Sequence, residues 1–304
     1  MVNIALIVSS VLISTVVILF PSLGETFTEL SGVYNFGLEG IMLISAASSF
    51  VAAIWSGSLF VGILVGMLSG CLIGLLQALF AVNFKADQIV FGIGLIILGE
   101  FLSSFIVVTL GKAGVFSVPT LPKLPTQGLV YPLNIILRQD ALVYLSFVMV
   151  VVVWFVLFRT KFGLTLRATG ENPYVAASAG INVQRMQYVA SIVGCIIASL
   201  GGVFIILGIA GSWVDNITAG NGFIAVAMVR VGNFRPFQIL LICLLYGIAE
   251  AVQLNLQILG TGIPHDFLQM IPYLLGIVAL AVSGIYSRFG EPKSLGKPYI
   301  KESR

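Results

Sequence analysis

Eight apolar runs follow one another from Ile4 to Tyr286, most near or above the roughly 20 residues that cross a bilayer as a helix. They are Ile4–Phe20, Leu30–Ile54, Leu59–Val82, Ile89–Leu110, Ala141–Phe158, Met186–Ile209, Phe237–Leu259 and Leu268–Tyr286. Such a chain belongs in a membrane, where each backbone polar group must be satisfied internally. None of the runs alternates as barrel strands do. The expected fold is therefore all-α: a polytopic membrane helical bundle of about 8–9 spans. A ninth, weaker segment, Trp213–Val231, is polar at first (Asp215, Asn216, Thr218, Asn221) and apolar later. It suits a broken or re-entrant helix covered by protein or a cavity. Charged residues make up only 9% of the chain, against roughly 25% in soluble domains.

Met1–Phe20 has no basic n-region and no small-x-small cleavage site after it, so it reads as a retained first span. Cys71, Cys195 and Cys243 lie inside apolar runs and behave as small hydrophobes, silent about redox compartment. The net charge of +3 sits mostly in loops and tail, where it bears on orientation and not on nucleic acid. Residues 1–287 form one membrane domain and 288–304 a basic tail.

Within the membrane domain lies a polar island, Arg159–Arg185. Asn172 suits an N-cap, Pro173 the first helical position, Tyr174–Ala179 a short helix and Gly180 its left-handed terminator. A compact capped helix in a basic loop either docks something or is an ordinary cytoplasmic loop. Basic residues also mark the turn with Arg230 and Arg235 and the tail with Arg288, Lys293, Lys297, Lys301 and Arg304. Placing all three in the cytoplasm puts the C-terminus inside and the Pro-rich segment 111–140 and the N-terminus outside.

Gly32–Leu110 and Gly220–Tyr286 share an order: a broken polar segment, a Gly-containing span ending near a Gln, a short acidic loop, another span. They run in opposite senses, as the inverted repeats of transporters do, with the substrate path at their interface. Asn35-Phe36-Gly37-Leu38-Glu39-Gly40 suits an interrupted helix, with Asn35 and Glu39 on one face if helical. It is either a path element or a helix entry where Glu39 reaches water. Glu250, Gln253 and Gln257 share one face of a later span, and Gln77 holds a similar place in the first half. These groups either meet a polar solute or bond neighbouring helices. Glu100 and Asp87 are open in the same way. Gly62, Gly66, Gly70 and Gly74 form a packing stripe, suited to a close helix or a subunit interface. Asp215, Asn216 and Asn221 form an outer polar patch. His265 is the only histidine, so no metal site is expected, and Ser212 has no triad around it. No G-x-x-x-x-G-K-[ST] occurs, so the chain does not hydrolyse a nucleotide by the P-loop route.

Several blocks together resemble one family. Gly32–Leu43 resembles the opening signature of permease subunits of bacterial and archaeal ABC importers for simple sugars, nucleosides and, in a related arm, branched-chain amino acids. Gly163, Leu164, Leu166, Arg167, Ala168, Gly170, Glu171, Asn172 and Pro173, with Ala176, Ala177 and Gly180, resemble that family's coupling loop. Thr218–Ala225, Gly232-Asn233 with Pro236, and Gly262-Ile263-Pro264 are also similar. The likeness runs from about Pro21 to Tyr286 and is strongest to the shorter of two paired permeases in nucleoside importers. Arg230 departs from it, standing where a small or apolar residue is usual.

The resemblance implies that Arg167, Gly170, Glu171, Asn172, Pro173, Ala176 and Gly180 couple to an ATP-binding cassette subunit carrying ATP and Mg. It also implies a second permease, an extracellular substrate-binding protein or lipoprotein, and a path for a small-molecule substrate through the plasma membrane. Asn35, Glu39, Gln77, Glu250, Gln253 and Gln257 are the expected path residues. An ion-coupled secondary transporter using Glu39, Glu100 or Glu250 is the competing reading.

Overall fold

The computed structural model describes residues 4–111, 117–125, 133–258, 264–286 and 290–300. Its helices are α1 (Ile4–Leu30), α2 (Leu38–Ser56), α3 (Leu59–Ala78, continued by a π-helical turn Leu79–Asn83) and α4 (Gln88–Leu110). Next come α5 (Leu133–Ile136), α6 (Ala141–Arg159), α7 (Lys161–Glu171) and α8 (Pro173–Ser178). The last are α9 (Val183–Val203, continued by Phe204–Ala210), α10 (Asn221–Val231), α11 (Pro236–Ile258) and α12 (His265–Tyr286). Seven of these, with α3 and α9 counted through their continuations, are long and apolar enough to cross a membrane; α10 and the Phe267–Ala281 part of α12 are shorter. The protein is a multi-pass helical bundle.

Two spans differ from the sequence expectation. The first does not stop at Phe20 but runs through Pro21 to Leu30. Proline removes one N–H from the ladder, yet a neighbouring helix can hold the helix together across it. Here Gly201 of α9 packs so tightly on the site that a Cβ would stand 2.8 Å from Pro21 Cδ and 3.1 Å from Val17 O. The extension carries Glu25 and Glu29 into the fully buried interior. The second span does not start at Leu30: Gly32 takes a left-handed φ of +91° and α2 begins only at Leu38.

Glycine contacts fix the directions of the helices. Along α3, Gly62, Gly66, Gly70 and Gly74 meet Leu207, Val203, Ser199 and Ser191 of α9, so these helices are antiparallel. Gly247 of α11 lies against Val11 and Thr15 of α1, an equivalent pairing in the second half. Gly40 and Gly99 touch, so α2 starts beside the middle of α4 and runs along with it. α10 starts against α2, with Gly222 on the Glu39 backbone, and ends where Arg230 approaches Glu29 at the end of α1. At 11 residues it is about 16 Å long, half a bilayer.

The groups α1–α4 and α9–α12 thus repeat one order in opposite senses: long helix, break, a helix starting inside the bundle, then two long helices. This is the expected inverted arrangement. The Trp213–Val231 segment is helical only from Asn221, so it is a broken crossing. At the bundle end remote from α8, Val118 N donates to Gly211 O (2.7 Å) and Leu121 N to Leu207 O (2.8 Å). That places the described part of the Pro-rich segment across the end of α9. Lys112, Pro132, Gly262, Ile263 and Arg288 lie outside the described residues.

Candidate functional site

The two interior helix starts meet at Glu39. Its carboxylate accepts from Gly220 N (2.8 Å), Gly222 N (2.7 Å) and the Thr218 hydroxyl. Unpaired amides and the helix dipole make the start of a helix favourable for an anion. Glu39, 3% exposed, therefore closes the N-terminus of α10 and does not reach water. Nor does it share a helix face with Asn35, which lies before α2 begins. Asn35 is bound elsewhere: its N–H donates to Glu25 Oε1 (2.9 Å), and its Oδ1 accepts from Gly37 N (3.1 Å).

Asn35 and Gln77 come together through Cys195. The Asn35 amide donates to Cys195 Sγ at 3.6 Å, and the Cys195 thiol donates to Gln77 Oε1 at 3.2 Å. Gln77 Nε2 and Ser191 Oγ, both buried on the same α3–α9 seam, have no hydrogen-bond partner. The α11 residues form a separate group. Glu250 bonds Ser14 of α1, Gln253 is buried, and Gln257 Nε2 has no hydrogen-bond partner. No hydrogen bond among the described residues ties them to Asn35 or Glu39. Tyr273 stands between the groups, its hydroxyl donating to Ala219 O (3.0 Å) beside the α10 start.

Sequence reasoning missed Glu25, Glu29 and Cys195. Two carboxylates four residues apart at the end of an apolar run were the available signal for the first pair. Glu29 explains Arg230: the guanidinium lies 3.9 Å from Glu29, 3.5 Å from Glu291, and 5.1 Å from the Tyr34 ring centre. A buried carboxylate needs a counter-charge nearby.

At the α8 end the short helix has the expected caps. Asn172 Oδ1 accepts from Tyr174 N and Val175 N, Pro173 opens the helix, and Gly180 has φ +83°. Pro173 and Ala176 are buried, while Tyr174 and Val175 are exposed at 52% and 63%. Arg167 stacks over Phe158 at 4.8 Å. Gly170 packs directly on the Leu30 carbonyl, leaving no room for a Cβ. The described part of the tail is laid against this segment. Ser294 N donates to Gly170 O (3.1 Å), Gly296 N to Gly32 O (3.1 Å), and the Tyr299 and Tyr174 rings meet at 5.3 Å. Lys293 reaches Glu171 at 2.6 Å, and that hydrogen bond, then the carboxylate's charge, raises the lysine above its ordinary value. The glycine stripe is used within the chain, against α9 and α2.

The family described as "Branched-chain amino acid transport system / permease component" matches residues 7–282. The chain belongs to this permease family. This permease is 34% identical to the nucleoside ABC transporter permease protein NupC of Lactococcus lactis subsp. cremoris, over 97% of each chain. It is 33% identical to the guanosine ABC transporter permease protein NupQ of Bacillus subtilis, over 99% of its own length and 98% of that protein. It is also 30% identical to the putative glucose ABC transporter permease protein TsgC13 of Haloferax volcanii, over 94% of each. No solved structure matches it. The permease is a transport component and not an enzyme.

Proposed function

We propose that this chain is the membrane-spanning permease subunit of an ATP-driven importer and forms part of the path for a nucleoside. The observation that carries the reading is the full-length likeness to NupC and NupQ. The capped α8, with Tyr174 and Val175 presented outward, supports it as the segment that meets a separate ATP-binding subunit. In this reading the α8 end and the tail face the cytoplasm, and ATP and Mg act on the partner. A second permease and an external receptor complete the assembly. Arg167, Gly170, Glu171, Asn172, Pro173, Ala176 and Gly180 hold the coupling segment. Asn35 and Glu39 bond the two interior helix starts and Gln77 joins Asn35 through Cys195, while Glu250, Gln253 and Gln257 offer polar groups on the α11 side. The ion-coupled alternative is weakened at Glu39, whose carboxylate is committed to the start of α10.

Competition decides the solute class. Labelled guanosine uptake by the reconstituted importer is measured against excess adenosine, cytidine, ribose or glucose. Inhibition by nucleosides and not by free sugars is expected. Inhibition by glucose or ribose alone would move the protein to sugar import.

A further inference from the structure

We propose that residues 290–300 act as a strap that carries movement of α8 to α10 and to the α1–α2 break. This deepens the function proposed above and rests on it for the role of α8.

The segment is folded against the bundle. Pro292 is buried. Leu295 N donates to Pro292 O (3.1 Å) and Lys297 N to Ser294 O (3.0 Å), each closing a turn. Gly296 has a left-handed φ of +74°, which a side chain would strain.

These turns present successive residues to separate elements. Tyr299 meets Tyr174 on α8, and Lys293 meets Glu171 at the end of α7. The Ser294 N–H and hydroxyl both donate to Gly170 O on α7, while Gly296 N donates to Gly32 O in the α1–α2 break. Glu291 lies 3.5 Å from Arg230 in the last turn of α10. Gly290 packs on the Asn233 side chain just beyond that turn, leaving no room for a Cβ. Glu291 and Ser294, three residues apart, thus join the end of α10 to the end of α7. Arg230 also faces Glu29 at 3.9 Å, so a pull on Glu291 reaches the buried end of α1. Displacement passes between helices through contacts of this kind, which bind rigid elements at discrete points. The strap does not cover the outer face of α8, because Tyr174 and Val175 stay 52% and 63% exposed beside it. It therefore leaves that face free for the ATP-binding subunit and acts as a tie between helices.

The test uses the complete importer in proteoliposomes with three variants. Ser294→Pro removes the N–H given to Gly170 O. Glu291→Gln removes the charge facing Arg230. Lys297→Ala is the control, its side chain bonding inside the strap to Lys293 O (3.3 Å). The expected result is ATP hydrolysis close to wild type, with uptake per ATP lowered about threefold or more in the first two variants and unchanged in the third. Unchanged uptake per ATP in the first two, or hydrolysis and uptake lost in proportion, would overturn the proposal. Glu291→Gln is close to isosteric at a position 59% exposed, so its ratio decides if Ser294→Pro does not assemble.

Amide exchange gives a readout free of transport. Gly232 N, Asn233 N and Phe234 N bond carbonyls in α10. Ser294→Pro cuts the strap at α7, yet these distant amides should exchange about fivefold faster; unchanged exchange would overturn the tie. If both readouts respond as expected with a solute other than a nucleoside, the substrate reading fails and the strap stands.

Discussion

Glu39 accepts the Gly222 amide at 2.7 Å across 183 positions of sequence, joining the start of α2's first turn to the start of α10. One carboxylate thus fixes where the two oppositely directed halves of the bundle meet. Glu39→Gln keeps the shape and removes the charge. It should cost roughly 1.5–3 kcal/mol, the range for a hydrogen bond to a charged group. Uptake should fall about tenfold or more, with normal membrane insertion; thermal unfolding in detergent and transport assays check the two parts.

Helix packing gives a paired prediction. A Cβ on Gly74 would stand 2.8 Å from Ser191 O and 2.9 Å from Ile192 Cα, whereas one on Gly94 would meet nothing within 4 Å. Gly74→Ala should destabilise by roughly 1–3 kcal/mol through overpacking. Gly94→Ala should be neutral or stabilise by up to about 1 kcal/mol, since glycine weakens a helix interior. The unfolding temperature should fall for Gly74→Ala and hold or rise for Gly94→Ala, and an equal fall in both would contradict the packing described.

The Arg230–Glu29 pair should show coupling. Arg230→Ala leaves Glu29 buried without its counter-charge. The cost should stay below the roughly 3–5 kcal/mol of a fully buried pair, because Arg230 is 37% exposed. In a Glu29→Gln background the same change should cost measurably less. Equal costs in both backgrounds would mean that the pair contributes nothing.

Coupling through α8 is tested by Ala176→Pro. The Ala176 N–H bonds Asn172 O at 3.0 Å, and proline removes that bond at a cost of about 3 kcal/mol in a helix interior. Six residues cannot absorb this. The variant should insert normally, lose uptake, and fail to stimulate the ATP-binding subunit.

The tail contact should depend on pH and salt. Glu171 raises Lys293, so the contact's contribution is fully present below the ordinary lysine value of 10.5 and is lost as pH rises through the raised value. Both side chains are exposed, so salt should also weaken it. Anisotropy of a fluorophore on Lys297→Cys should drop above that pH and in high salt, and stay level through neutral pH.

Membrane class, most span boundaries and the α8 caps were legible because they depend on local rules: apolar length, proline and glycine placement, and capping side chains. The glycine stripe was legible as packing, though not which helix it would meet. What escaped was set by tertiary contact. Pro21 looked like a helix end, and only Gly201 packed against it shows why the helix continues. Asn35 and Glu39 looked like neighbours on one helix, yet the break at Gly32–Gly37 sends them to different partners, Glu25 and α10. Arg230 was anomalous until the buried Glu29 appeared beside it.

The most direct measurement is uptake of labelled guanosine into proteoliposomes holding this chain with its candidate partner subunits, with and without ATP inside. Accumulation only with ATP and an ATP-binding subunit is the outcome expected of an importer permease. Accumulation without either, abolished by collapsing an ion gradient, would contradict it.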